Sequence, residues 1–219
     1  MNKVGKIIIG LVAVATVVGG AFFFLNKDRE TAKTVKDVKF GDQEVVLQNG
    51  DKRIKLDLPT ADQLEDSPVA VMGFVNLTEE QQAQKQEQEE RRMAAMENNE
   101  EFNEEDVIDD TITGENYDVI KDQSINQISV NLKNGVDARY EISDVVYSKD
   151  TLESISAGAK DAKFGDNDFS YTIQKTNDYY FYYMVCNKLE TNSIYVVLTS
   201  TKKIPEDKLP EYMNAIHFE

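Results

Sequence analysis

Gln123 to Glu141 reads QSINQISVNLKNGVDARYE, two alternating runs on either side of Asn134-Gly135. Asn-Gly between alternating runs signals a β-hairpin, and the two sides test the loop length. A two-residue loop would set Leu132, Val130 and Ile128 opposite Asp137, Arg139 and Glu141, which no half-buried face tolerates. A three-residue loop, Lys133 to Gly135, pairs Leu132 with Val136, Val130 with Ala138 and Ile128 with Tyr140. The pattern therefore predicts a hairpin with Gly135 left-handed in a bulge.

Working outward, an earlier Asn-Gly at Asn49-Gly50 separates Glu44–Gln48 from Asp51–Leu58. A two-residue loop there pairs Val45 with Ile54 and puts Leu47, Leu56 and Leu58 on the same apolar face. Val69 to Val75 (VAVMGFV) is short, apolar and uncharged, as expected of a buried third strand, and its length equally fits a turn or two of buried helix. Beyond the central hairpin, Asp150 with Glu153 forms a capping-box pattern that predicts a helix to about Ala162, with Leu152, Ile155 and Ala159 inward. Phe169–Lys175, Tyr179–Asn187 and Ser193–Thr201 then read as a three-strand meander. A three-residue loop at Thr176–Asp178 would place Phe169, Tyr171 and Ile173 opposite Val185, Tyr183 and Phe181, and a four-residue turn adds Ile194, Val196 and Leu198. Pro205 to Ile216 reads as a closing helix with Leu209, Met213 and Ile216 buried.

Between the third strand and the central hairpin the period changes. Thr78 and Gln81 form a capping box, followed to about Met96 by strong helix formers with almost no apolar stripe. The expected helix is solvated and docks at most its last turns, around Met93 to Met96. From Glu79 to Asp110 there are 13 acids against Lys85, Arg91 and Arg92. A calcium loop fails here, because placing Gly114 at the sixth position puts Ile120 where the bidentate Glu belongs. One internal echo stands out: Lys36–Asp42 (KDVKFGD) and Lys160–Asp166 (KDAKFGD) agree at six of seven positions, each expected just before a strand.

At the N-terminus, Ile7 to Leu25 is an uncharged apolar run of 19 residues. At about 1.5 Å per residue such a helix spans a ~30 Å hydrocarbon core. Gly19-Gly20-Ala21 could serve as a signal-peptide cleavage site, but Phe22 to Leu25 continue the run and favour a retained anchor. Basic residues beyond the run, Lys27, Arg29, Lys33, Lys36 and Lys39, outnumber Lys3 and Lys6 before it and weigh against export. The six-residue tail is nevertheless that of a signal anchor, and the reading adopted is tail inside, body outside. The organisation is then 1–6 cytoplasmic tail, 7–25 transmembrane helix, 26–36 juxtamembrane stalk, 37–76 hairpin and strand part, 77–115 acidic helical or partly disordered insertion, and 116–219 main part. The fold class is α+β: an N-terminal transmembrane helix followed by a mostly antiparallel sheet with a few helices and that long acidic insertion. The element order loosely resembles that of PsbP-like domains, with a strand-rich body and a terminal helix; no motif carries the likeness into function.

Composition narrows the function classes. A net charge of −16 without basic clusters argues against nucleic-acid partners. The single cysteine, Cys186, makes no internal disulfide and lies too far from the apolar run to be a lipidation site. With one cysteine and one histidine, His217, a Cys/His metal cluster is impossible, and no phosphate-binding or nucleophile-elbow motif is present. No cofactor is expected. The pointer that remains is Tyr179-Tyr180-Phe181-Tyr182-Tyr183. In the register above, Tyr180 and Tyr182 share the face of Tyr195, away from the core, and such rings suit recognition of a peptide, glycan or partner surface. A covering layer of the fold would bury the same face. The expected function is a membrane-anchored, extracytoplasmic binding module without catalytic activity, its partners being membrane lipid through residues 7–25 and a protein. The alternatives are an envelope enzyme using a carboxylate pair or Cys186, and a structural subunit of a membrane complex, for which Ala15 and Gly19 offer a small-residue helix face.

Overall fold

The computed structural model describes residues 35, 37–98 and 108–218. The tail, the apolar run 7–25, the stalk through residue 34 and residues 99–107 of the acidic insertion lie outside the described residues. Among the described residues no helix is long and apolar enough to cross a membrane.

The central hairpin forms as its alternation requires. Strands β5 (Ile125–Asn131) and β6 (Val136–Ser143) pair with Ile128 opposite Tyr140 and Val130 opposite Ala138. Gly135 donates its N–H to the Leu132 carbonyl and sits at φ 84°, left-handed as the bulge demands. Around this hairpin the remaining strands assemble one mostly antiparallel sheet: β1 (Phe40–Asn49), β2 (Lys52–Pro59), β3 (Val71–Val75), β4 (Thr111–Gly114), β7 (Lys160–Phe164), β8 (Asn167–Lys175), β9 (Tyr180–Cys186), β10 (Ser193–Ser200) and β11 (Ile216–Phe218). The spatial order is β11-β2-β1-β5-β6-β10-β9-β8-β7, with β3 joined to β5 and β4 to β3. The β1–β5 contact, Leu47 opposite Ile125, is parallel. Among the described residues three α-helices accompany the strands, α1 (Glu79–Asn98), α2 (Lys149–Ile155) and α3 (Leu209–Met213).

The inner face of the sheet holds the main core. Leu47, Ile54, Leu56, Ile128, Tyr140, Met184 and Val196 are fully buried there, and Leu209, Met213 and Ile216 close over it. Burying each such side chain contributes roughly 1.5–3 kcal/mol. Two tyrosine hydroxyls in this core are matched to backbone carbonyls: Tyr117 donates to that of Pro59 at 2.8 Å and Tyr140 to that of Tyr212 at 3.4 Å. Gly73 on β3 is a packing glycine, since a Cβ there would stand 2.8 Å from Cγ2 of Ile120.

Several expectations are corrected. In the first hairpin Asn49 stays in the ladder opposite Lys52, so the turn is Gly50-Asp51 and Val45 lies opposite Leu56. The amide of Asn49 explains the shift, because it donates to the Ile142 carbonyl at 3.0 Å and to Asp144 at 2.7 Å. The displacement is even, so the apolar face is unchanged. The Thr78–Gln81 box forms in both directions, but α1 leaves Met93 and Met96 exposed and touches the body instead through Lys85 to Asp110 at 2.7 Å. The second capping box uses Ser148 and Thr151, not Asp150 and Glu153, and α2 ends at Ile155. The echoed segment Lys160–Phe164 is itself the edge strand β7, and the expected C-terminal helix stops at Met213 before β11.

Strand β9 faces the other way from the expectation. Thr176 donates its N–H to the Tyr179 carbonyl, leaving Asn177-Asp178 as the turn, and Tyr182 lies opposite Ile173. On the other side Ile194 lies opposite Cys186. Each loop differs by one residue from expectation, so β8 and β10 keep their faces while β9 alone turns over. Tyr182, Met184 and Cys186 belong to the main core, and Phe181, Tyr183 and Val185 to the outer face.

Candidate functional site

The three tyrosines singled out from sequence do not share a surface. Tyr182 is fully buried in the main core, its hydroxyl accepting from the Ile204 N–H at 2.6 Å and donating to the Ile204 carbonyl at 3.0 Å. That clamp fixes the segment leading to α3. Tyr180, half-buried at the start of β9, has the Lys175 ammonium 5.4 Å from its ring centre. Tyr195 alone lies on the outer face, where it is 2% exposed. The two chemical candidates are also placed. Cys186 is buried in the core, which pushes its thiol up and away from the nucleophilic thiolate. His217, half-exposed on β11, meets Asp57 at 2.9 Å.

The outer face around Tyr195 is built from three strands whose polar positions fall in register. Gln127 of β5 lies opposite Glu141 of β6, which lies opposite Tyr195 of β10. In the adjoining row Ser129 lies opposite Arg139, which lies opposite Val197. Asn131 and Asp137 begin the next row, with Thr199. With strands ~4.8 Å apart and ~3.4 Å of rise per residue, these rows cover about 10 by 13 Å.

Arg139 is oriented from two sides. One guanidinium nitrogen donates to Glu141 at 3.1 Å, and the plane stands 5.4 Å from the centre of the Tyr195 ring. Tyr195 is packed between Tyr147, at 5.2 Å, and Tyr183, at 6.5 Å in a stacked arrangement. Phe181 stacks on Tyr183 in turn at 6.2 Å and is half-buried. Leu152 of α2 belongs to the same outer cluster, so the helix covers the aromatic end of the face and leaves the polar rows to one side. Burial pushes the Glu141 carboxyl up, against the opposing pull of Arg139, and raises the Tyr195 and Tyr183 hydroxyls as well.

The face is marked by unmet hydrogen-bonding capacity. Nε2 of Gln127, Oγ of Ser129, Oδ1 of Asn131, Nε of Arg139 and the hydroxyl of Tyr195 are buried without a hydrogen-bond partner. Each residue is nine-tenths or more buried, and all five lie on these three adjacent strands. A buried polar atom without a partner costs about 1–3 kcal/mol, and all five of these atoms fall on one face. Farther along the same side, a shallow groove of about 430 Å³ is lined by Asp161, Lys163, Asp168, Ser170, Val185 and Asn187. Its acid Asp161 is already held by Lys149 at 2.7 Å and Ser170 at 2.8 Å. Among the described residues no group of three or more His, Cys, Asp or Glu could hold a metal ion.

Sequence reasoning missed Gln127, Ser129, Asn131 and Arg139. Alternating polar residues on a strand read as a solvated face, and nothing local distinguishes them from buried ones. Compared with family models, with curated proteins and with solved structures, the chain matches none of them significantly.

Proposed function

We propose that this chain is a membrane-anchored, non-catalytic binding module whose body lies outside the cytoplasm and presents the outer face of β5, β6 and β10 to a partner. The observation that carries the reading is the set of five buried, unpartnered polar atoms on that face. Residues 7–25 supply the anchor, an uncharged apolar run of spanning length. The state of Cys186 disfavours thiol chemistry, since it is buried and its thiol is pushed up.

Two measurements in intact cells test the reading. An impermeant thiol reagent is applied to a Met93→Cys variant that also carries Cys186→Ala, Met93 being well exposed on α1. Labelling without lysis is expected, and labelling only after lysis would overturn the extracytoplasmic placement. A photoreactive residue at Val197, on the outer face, is expected to give discrete adducts that one at the exposed Val146 does not. Identical patterns from both positions would remove the outer face as the binding surface.

A further inference from the structure

We propose that the outer face of β5, β6 and β10 takes a neutral, hydroxyl-rich glycan. This inference rests on the binding-module reading above and assigns its ligand class.

The unpartnered atoms specify the chemistry. Gln127 and Arg139 offer N–H donors, Asn131 offers a carbonyl acceptor, and Ser129 and Tyr195 offer hydroxyls that do either. A ligand for this set must both accept and donate within a patch of about 10 by 13 Å. Carboxylates and phosphates only accept, and they would add negative charge beside Glu141, whose carboxyl burial already disfavours as an anion. A cation only meets acceptors, and Arg139 repels it. Sugar hydroxyls do both and carry no charge, which suits a patch where Arg139 is balanced by Glu141 at 3.1 Å.

The sheet topology excludes strand addition by the other neutral polymer, an extended peptide. Peptides add to sheets through the backbone of a free edge, yet β5 lies between β3 and β6, β6 between β5 and β10, and β10 between β6 and β9. None of the three has an edge to offer, and what is unpartnered here are side chains on a face. Aromatic rings stand on both flanks: Phe74 of β3, opposite Gln127, and Phe181 at the end of the stacked row, both half-buried. Such rings give the C–H faces of sugars an apolar surface beside the polar rows.

The test is calorimetric titration of the full chain, held in a zwitterionic detergent free of sugar headgroups, with N-acetylchitohexaose, cellohexaose and mannohexaose as probes. Binding of at least one at submillimolar Kd is expected. Gln127→Leu and Val197→Lys, the first removing a donor and the second filling the half-exposed centre of the face, are each expected to weaken it tenfold or more with the circular dichroism melt preserved. Gln127→Leu removes an unpartnered group, so folding does not depend on it, and Val197→Lys provides an independent check. No binding by any of the three probes, or unchanged binding in both variants, would overturn the proposal. So would binding of the blocked peptide acetyl-(Ala-Thr)4-amide at the same residues in place of the glycans. If glycans fail while the Val197 adducts remain specific, the ligand class falls and the surface stands; if the adducts fail too, both fall.

Discussion

Replacing Tyr182 by Phe removes one oxygen and leaves the ring, so no cavity opens in the core. What changes is Ile204, whose N–H and C=O both bond to that hydroxyl, at 2.6 and 3.0 Å, and whose side chain is fully buried. Both backbone groups lose their partner at once. At about 1–3 kcal/mol for each of the two unmet groups, the variant is expected to lose about 2–6 kcal/mol. For a chain of this size 1 kcal/mol moves Tm by about 2–4 °C, so the melt should fall by roughly 4–24 °C. Tyr195→Phe makes the same chemical change on the opposite face of the sheet, where the hydroxyl has no partner to lose. It is expected to be neutral or to stabilise by up to about 1 kcal/mol, since a buried polar group without a bond is itself unfavourable. The assay is urea unfolding of the full chain in detergent, followed by far-ultraviolet circular dichroism. If Tyr182→Phe stays within 0.5 kcal/mol of the parent, or Tyr195→Phe loses as much as Tyr182→Phe, the division into a satisfied core and an unsatisfied outer face is refuted.

Further outcomes follow from other positions. Gly135→Ala meets nothing within 4 Å but must hold φ 84°, so it is expected to cost about 1–2 kcal/mol, read as a shifted urea midpoint with an unchanged slope. Gly73→Ala has the reverse cause: its Cβ would stand 2.8 Å from Cγ2 of Ile120, and overpacking should cost about 1–3 kcal/mol, a loss that Ile120→Leu, which removes that Cγ2 methyl, should partly relieve. Thr78→Ala removes the cap of a helix with no buried side chain, so hydrogen exchange should quicken in α1 while the urea midpoint holds. Glu141 sets a pH dependence. Its folded pKa is raised above the ordinary 4.5 chiefly by burial, so the folded state binds its proton more tightly. That contribution to stability is fully present below 4.5 and is lost as pH rises through the folded value. Glu141→Gln should flatten that fall in a urea series across the carboxylate range, and an unchanged slope would contradict the assigned burial.

The strand-rich architecture, the register of the β5–β6 hairpin and the polar helix α1 are legible in the order of residues alone. The hairpin was legible because only one of its faces is apolar: sliding it by one residue would bury Asp137, Arg139 and Glu141 in the core, a penalty that local pattern alone reveals. The even shift in the first hairpin had a different source, a long-range bond from Asn49 to β6, 93 residues away in sequence. The facing of β9 was decided only by tertiary structure. Tyr180 to Cys186 is apolar or aromatic at every position, so alternation assigns no inside, and loop lengths one residue different were enough to send Tyr182 into the core and Tyr183 outward. The candidate site is the same lesson in polar form. Gln127, Ser129, Asn131 and Arg139 look solvated one strand at a time, and become a buried, unpartnered set only when β5, β6 and β10 are laid side by side. Burial and hydrogen-bond satisfaction are properties of neighbours across the sheet, which the order of residues along a strand does not contain.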